Sequence, residues 1–269
     1  MLISWLPRYL TLTCLALFLG FSGCSLPEVQ DETAGWSAQK LYSEAKDNLN
    51  DGNYERSIKL YETLESRYPY GRYAQQAQLD IAYAYYKDNE PLSAITACDR
   101  FIKLHPNHPN VDYAYFLKGL ANFTENSGLF SGFVDQDMSE RDPKAAKDSF
   151  DAFKELASRF PDSKYTPDAQ ARMKYLVNTI AANEIHSAKY YLKRQAYVAA
   201  ANRAENVVKN YPSTPEVEDA LAIMVRSYDK LGIKDLRDDA MRVLKLNYPK
   251  SKYIDQGIDL TEKSWWKFW

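Results

Sequence analysis

An all-α chain is predicted here: a run of helical hairpins stacked one on the next. Three observations carry that expectation. Glycine is scarce, 10 in 269 residues, while Ala, Lys, Glu and the 21 tyrosines recur at helical spacing. A proline-centred motif returns as Arg67-Tyr68-Pro69-Tyr70-Gly71-Arg72-Tyr73, Arg159-Phe160-Pro161-Asp162-Ser163-Lys164-Tyr165 and Asn247-Tyr248-Pro249-Lys250-Ser251-Lys252-Tyr253. Shorter copies are Leu104-His105-Pro106 and Asn210-Tyr211-Pro212-Ser213-Thr214-Pro215. Each copy follows one apolar-periodic stretch and precedes another. A proline just past a helix end cannot continue that helix, and the Ser, Thr or Asp after it can cap the next.

The first element is a leader. The apolar run Leu10–Phe21 falls short of the roughly 20 residues that span a bilayer. Arg8 supplies positive charge before it, and Pro7 breaks what precedes it. The run closes on Leu19-Gly20-Phe21-Ser22-Gly23-Cys24, which resembles a bacterial lipoprotein processing site. Residues 1–23 are then a cleavable signal and Cys24 is the acylated first residue; the alternatives are a retained anchor or a buried apolar helix. Ser25 stands where an Asp would hold a lipoprotein at the inner membrane, so the resemblance implies the outer membrane. One acyl chain binds only marginally, at about 0.8 kcal/mol per methylene, so stable anchoring requires more than one. Polar residues 24–36, with Pro27 and several acids, read as a flexible tether.

The repeats follow. Before Pro69 come Leu64, Tyr61, Ser57, Tyr54, Gly52 and Ala45. Before Pro106 come Phe101, Cys98, Ala94, Pro91, Tyr85 and Ala82, and Pro91 can open a helix because its missing N–H costs nothing there. Before Pro161 come Leu156, Phe153, Ser149 and Ala146; before Pro212, Val207, Ala204, Ala200, Tyr197 and Ala188; before Pro249, Leu244, Met241, Gly232, Tyr228 and Leu221. This spacing is similar to the tetratricopeptide repeat, whose small residues let two helices approach and whose bulky ones fill the gaps. The expected fold is a tetratricopeptide-repeat superhelix of about five helix-turn-helix repeats and a capping helix.

Two departures from regular spacing stand out. The stretch 126–143 is inserted in repeat three and carries Gly128, Gly132, Leu129, Phe130, Phe133 and Val134. It either folds back on the array or is a tolerated insertion. Met173, Leu176, Val177, Ile180, Ala181, Ile185, Ala188, Tyr191 and Leu192 then share one face of a single helix from about Pro167 to Lys193. That helix joins an N-terminal half, residues 37–165, to a C-terminal half, residues 166–269. A final helix is expected from about Lys252 to Lys263. The tail Trp265-Trp266-Lys267-Phe268-Trp269 is a cluster that contacts a partner, the membrane interface or the last groove of the array.

Composition excludes several functions. Net charge is −2 and no basic block points to nucleic acid. Of three cysteines, Cys14 lies in the leader and Cys24 is the acylation site, so Cys98 alone remains and packs as a small hydrophobe. His105, His108 and His186 are the only histidines; the first two lie near Asp112 in a proline-rich junction, where solvated histidines are the ordinary case. Asp135, Asp137, Arg141 and Asp142 cluster in the insertion, where paired acids could do acid–base work or simply face solvent. No phosphate-binding glycine loop, zinc protease pattern or serine elbow is found. A non-enzyme without metal or cofactor is expected. Arrays of this kind present a concave surface to peptides or partner domains. Tyr73, Tyr83, Tyr85, Tyr86, Tyr113 and Tyr115 fall on first helices, the elements that line that surface, although Tyr85 reads better as a gap filler.

The leader, the acidic tether, the repeats, the segment RYPYGRYAQQAQLDIAYAYYK and the insertion ending SERDP together resemble the BamD (ComL/YfiO) family of outer-membrane lipoproteins. The similarity runs from about Ser37 to Lys252; the tryptophan-rich tail is outside it. The resemblance implies a part in the β-barrel assembly complex: binding the POTRA region of BamA, holding the lipoproteins BamC and BamE, and receiving unfolded outer-membrane barrel proteins. It further implies substrate contacts at Tyr68 and Lys103 and contact of Arg203 with an acidic residue of BamA; Tyr73, one of the tyrosines on first helices, is a third substrate-binding candidate. Lys103 replaces an arginine of the family segment, a point charge in place of a planar fork. The alternative function is a periplasmic repeat lipoprotein that scaffolds cell-wall enzymes.

Overall fold

The computed structural model describes residues 31–127 and 143–258. Eleven helices and no strand occur among the described residues: α1 Ala38–Asn50, α2 Tyr54–Arg67, α3 Arg72–Lys87, α4 Pro91–Leu104, α5 Val111–Ser127, α6 Lys144–Arg159, α7 Thr166–Lys193, α8 Tyr197–Asn210, α9 Val217–Leu231, α10 Lys234–Asn247 and α11 Tyr253–Gln256. The leader, Cys24, the start of the tether, nearly all of the 126–143 insertion and the Trp265–Trp269 cluster lie outside the described residues. The chain divides at Ser37 into two units. In the first, Asp31 accepts hydrogen bonds from the Thr33 N–H and hydroxyl, at 3.0 and 2.6 Å.

In the second unit every helix packs on the next, and the first helices of neighbouring repeats also touch, α1 with α3, α3 with α5 and α7 with α9. This is the tetratricopeptide arrangement, in which each hairpin is covered by the one that follows. Four hairpins turn in the same way. The amides of Gly52, Asn89, Gln195 and Gly232 donate to carbonyls three residues back, and those of Asn53, Glu90, Ala196 and Ile233 to carbonyls five residues back. The pattern is the Schellman motif, which satisfies the last carbonyls of a helix with one left-handed residue. That residue has φ of 82° at Gly52, 61° at Asn89, 61° at Gln195 and 73° at Gly232.

The proline junctions are equally uniform. Tyr68, His105, Phe160, Tyr211 and Tyr248 each precede a proline and share φ near −130° with ψ between 47° and 66°. The clash of the proline ring with the preceding residue excludes the helical conformation there. At the last four junctions two successive turns follow, for example from Phe160 to Ser163 and from Ser163 to Thr166. The expected capping by Ser163, Thr214 and Ser251 is corrected: the helices after them start without a side-chain cap bond. Their hydroxyls serve the turns instead. Ser163 and Ser251 accept from the amides of Tyr165 and Tyr253, at 3.2 and 3.3 Å, and Thr214 donates to the Tyr211 carbonyl at 2.9 Å. The first junction differs, because Gly71, at φ 99°, stands where the others have a hydrogen-bonding side chain.

Within the hairpins, small residues face each other. Ala45, Ala82 and Ala188 of first helices and Ser57, Ala94, Ser149 and Ala200 of second helices are fully buried. The hydroxyls of Ser57 and Ser149 donate, both at 2.8 Å, to the carbonyls of Ala45 and Gly119. At Gly119 the approach is closest: a Cβ there would lie 2.4 Å from the ring of Phe153, itself fully buried.

The predicted long helix is present as α7, 28 residues with Pro167 in its first turn. Its N-terminal half, through Leu176 and Ile180, belongs to a core with Phe101, Phe153 and Leu156. Its C-terminal half, through Ala181, Ile185, Ala188 and Leu192, belongs to a second core with Ala204, Leu221 and Leu244. Cys98 is fully buried beside Ala82 and Leu117, and burial pushes its thiol pKa up. Of the closing helix expected from Lys252 to Lys263, the described part is corrected to one turn, Tyr253–Gln256, and residues from 259 lie outside the described residues. Gly257, at φ 66° and ψ −174°, takes the chain out of helical geometry.

Two substitutions separate backbone strain from packing. Gly232→Ala meets no atom within 4 Å of its new methyl, so its cost is that of the left-handed backbone alone, about 1 kcal/mol. Gly119→Ala drives a methyl into the buried Phe153 ring and lowers stability by about 1–3 kcal/mol. In the Gly119→Ala background, Phe153→Leu recovers part of the loss in urea unfolding; in the Gly232→Ala background it recovers none.

Candidate functional site

Tyr68 ends α2 at the first proline junction, 38% exposed. Lys103 is exposed in the last turn of α4. Three residues before each, Glu65 and Arg100 form an ion pair at 3.2 Å, with the Glu65 carboxylate largely buried. This cross-link between the two second helices sets Tyr68 and Lys103 at the same end of neighbouring hairpins. The adjoining Tyr70 is 92% exposed, so an aromatic and cationic edge forms here.

Tyr73, in the first turn of α3, is half-buried and packed rather than presented. Its ring lies 5.4 Å from that of Tyr42, with the Arg72 guanidinium 5.0 Å from its centroid. Behind it sits a polar hub that sequence reasoning missed. Buried Asp80 accepts from the hydroxyls of Tyr42 at 2.9 Å and Tyr61 at 3.1 Å, from the Gln76 amide at 3.1 Å, and pairs with Lys46 at 3.5 Å. Burial, reinforced by this carboxylate, pushes both phenol pKa values up. The hub joins α1, α2 and α3 and holds the base of the Tyr68 edge. Of the other tyrosines expected on the inner surface, Tyr115 is buried and Tyr113 packs tilted against Tyr165, with ring centroids 5.3 Å apart. Tyr83 and Tyr86 pack against the Cys98 cluster. Most of the tyrosine content is therefore packing, because a phenol can fill an inter-helix gap and still reach a partner with its hydroxyl.

The histidine junction is also structural. His105 is hydrogen-bonded to Gln78 at 2.8 Å, both imidazoles lie 5.2 Å from the Phe101 ring, and Asp112 accepts from Ser163 at 2.7 Å. Burial, with His105 nearby, lowers the His108 pKa. Among the described residues no group of three His, Cys, Asp or Glu side chains is arranged to hold a metal ion.

Arg203 lies in α8, and its side chain is about half exposed. It is not solvated freely. Its Nη1 donates at 2.9 Å to Oε2 of Glu184, a carboxylate only 4% exposed on α7. The hydrogen bond and charge of Glu184, with a smaller part from Tyr191, raise the guanidinium pKa. Charged groups are almost never buried without a partner, so Arg203 is required by the fold as well as available to a partner. Glu184 was legible as an anomaly: it sits inside the apolar stripe of α7, between Ala181 and Ala188. Asp80, between Leu79 and Ile81, carries the same signal.

No helix among the described residues is long and apolar enough to cross a membrane. The family described as YfiO, outer membrane lipoprotein, matches residues 35–244. A protein of Neisseria meningitidis serogroup A named outer membrane protein assembly factor BamD is 47% identical over 262 residues, 96% of this chain and 98% of its own. The protein of that name from Neisseria gonorrhoeae is likewise 47% identical over 262 residues, with the same coverage. The one from Vibrio cholerae is 36% identical over 241 residues, 89% of this chain and 99% of its own. The match spans the hairpins, the Tyr68 edge and Arg203 alike, and the chain belongs to the YfiO family of outer membrane lipoproteins.

Proposed function

We propose that this chain is an assembly factor for outer-membrane β-barrel proteins, working as a receptor and scaffold and not as an enzyme. The observation that carries the reading is its 47% identity over 96% of its length to a protein named for that role. In this reading acylated Cys24 holds it at the periplasmic face of the outer membrane. The C-terminal repeats dock the POTRA region of BamA through Arg203, BamC and BamE bind elsewhere on the array, and the Tyr68 and Lys103 edge receives unfolded barrel strands. The chemistry fits. Tyr68 offers an apolar face with a hydrogen-bonding tip, and exposed Lys103 offers a charge to a carboxylate. Arg203 keeps part of its five-donor fork beyond Glu184 for a second acid.

The dual engagement of Arg203 dictates the test. Arg203→Ala strands the buried Glu184 carboxylate and lowers stability by about 1–3 kcal/mol. Adding Glu184→Gln removes the stranded charge and returns most of that loss. Co-purification with BamA stays weak in both variants if Arg203 contacts the partner. Recovery of binding together with stability would show that Arg203 acts only inside the fold. At the other end, Tyr68→Ala combined with Lys103→Ala weakens capture of a peptide copied from a barrel's last strand by roughly tenfold, equivalent to ~1.4 kcal/mol. The helical signal by circular dichroism is retained, so that the loss reads the edge and not the fold.

A further inference from the structure

Among the described residues, the last hairpin has only one helical turn, Tyr253–Gln256, where every earlier hairpin is followed by a full helix. The hairpin α1–α2 carries Tyr42, Ala45, Leu49, Ser57, Tyr61 and Leu64, and α3, a helix of 16 residues, packs against it. Counting back from the proline junctions, the same positions in the last hairpin are Ala222, Val225, Asp229, Arg237, Met241 and Leu244. These six line a cleft of about 270 Å³ together with Arg226, Tyr253, Ile254 and Ile258. The element that should cover them begins correctly, since Tyr253 occupies the position of Tyr73 in α3 and Tyr165 at the start of α7. Its hydroxyl is tied to Asp219 at 2.6 Å. Yet α11 stops after one turn, and Gly257 redirects the chain.

Two further features keep this cleft open. In the earlier hairpins the facing positions are small, as at Ala45 and Ser57 or Ala188 and Ala200. Here they are Val225 and Arg237, and Arg237 is drawn aside by Asp229 at 3.5 Å and Asp238 at 2.8 Å. The cleft floor is apolar, with Leu244 fully buried and Ala222 nearly so, while exposed Arg226 stands on its rim.

We propose that the chain's own segment 259–269 fills this cleft, its aromatic cluster Trp265-Trp266-Lys267-Phe268-Trp269 taking the place of the missing helix. Ile258 lines the cleft, so the segment departs from the cleft wall itself. The residues between Ile258 and Trp265 reach roughly 20 Å when extended, enough to turn back across a hairpin. An occupant tethered this closely is present at millimolar effective concentration without any search. Indole rings match the apolar floor, and Arg226 can lie on a ring face at the rim. A terminal repeat needs a cap or a polar outer face, and here Asp229 and Arg237 make the face only partly polar while Ala222, Val225, Met241 and Leu244 leave an apolar floor to cover.

The test uses the full chain with Trp5→Phe and Trp36→Phe, so that only Trp265, Trp266 and Trp269 emit. Their emission is expected to be blue-shifted from that of the same chain in denaturant. Val225→Asp in the cleft should abolish the shift, and Arg226→Ala, on the exposed rim, should reduce it with helicity unchanged by circular dichroism. Removing residues 259–269 should lower the melting temperature by several degrees, and Val225→Asp should then add little. Emission equal to that in denaturant overturns the proposal. So does a blue shift that survives both cleft substitutions, which would place the tail in detergent or lipid. A shift lost on dilution, alongside a halving of the particle mass, would assign the cleft to a second copy and overturn it equally.

Discussion

Each hairpin of this protein is completed by the next one. A pair of helices in contact still leaves one apolar face open, and here that face is closed by the first helix of the following repeat. Close approach within the pair is what makes the face flat enough to cover, and it depends on small residues at two positions. The Gly119 backbone lies so near the Phe153 ring that no side chain fits between them. Where the small pair gives way to Val225 and Arg237, a cleft opens.

The polar groups that matter are those buried where helices meet, between hairpins at Asp80 and within one hairpin at Glu184. Asp80 takes four partners from three helices and fixes the first junction. Glu184 performs the same service between α7 and α8, but its partner, Arg203, remains half exposed. A buried carboxylate and an exposed cation thus share one bond. A partner that engages this guanidinium from outside acts on a side chain anchored to the helix that spans both cores. Preorganisation of the fork by Glu184 lowers the entropy lost when a second acid binds.

The aromatic and cationic edge lies where the repeat pattern is broken. Four proline junctions are closed by two turns each, whereas the first replaces the turn-forming side chain with Gly71 and leaves Tyr70 in solvent. Tyr68 and Lys103 flank that break. Uniform junctions hold the array together, and the irregular one is free to meet something else.

The hairpin number and the long connecting helix were readable from residue order. They follow from local rules: a proline forbids helix in the residue before it, and apolar residues at helical spacing need a common face. Cys98 as a packed thiol and the small-residue pairs were readable for the same reason. The partners of Arg203 and Tyr73, the burial of Tyr115 and the Asp80 hub were not, because each joins residues of separate helices whose angular register is set only when the helices pack. The short α11 escaped the periodic pattern too, since one glycine at positive φ outweighs the helical preference around it. Sequence alone determined which segments are helices and in what order they stack; the tertiary structure decided which side chains are consumed in stacking and which remain for a partner, because contact between hairpins depends on distances that no local pattern encodes.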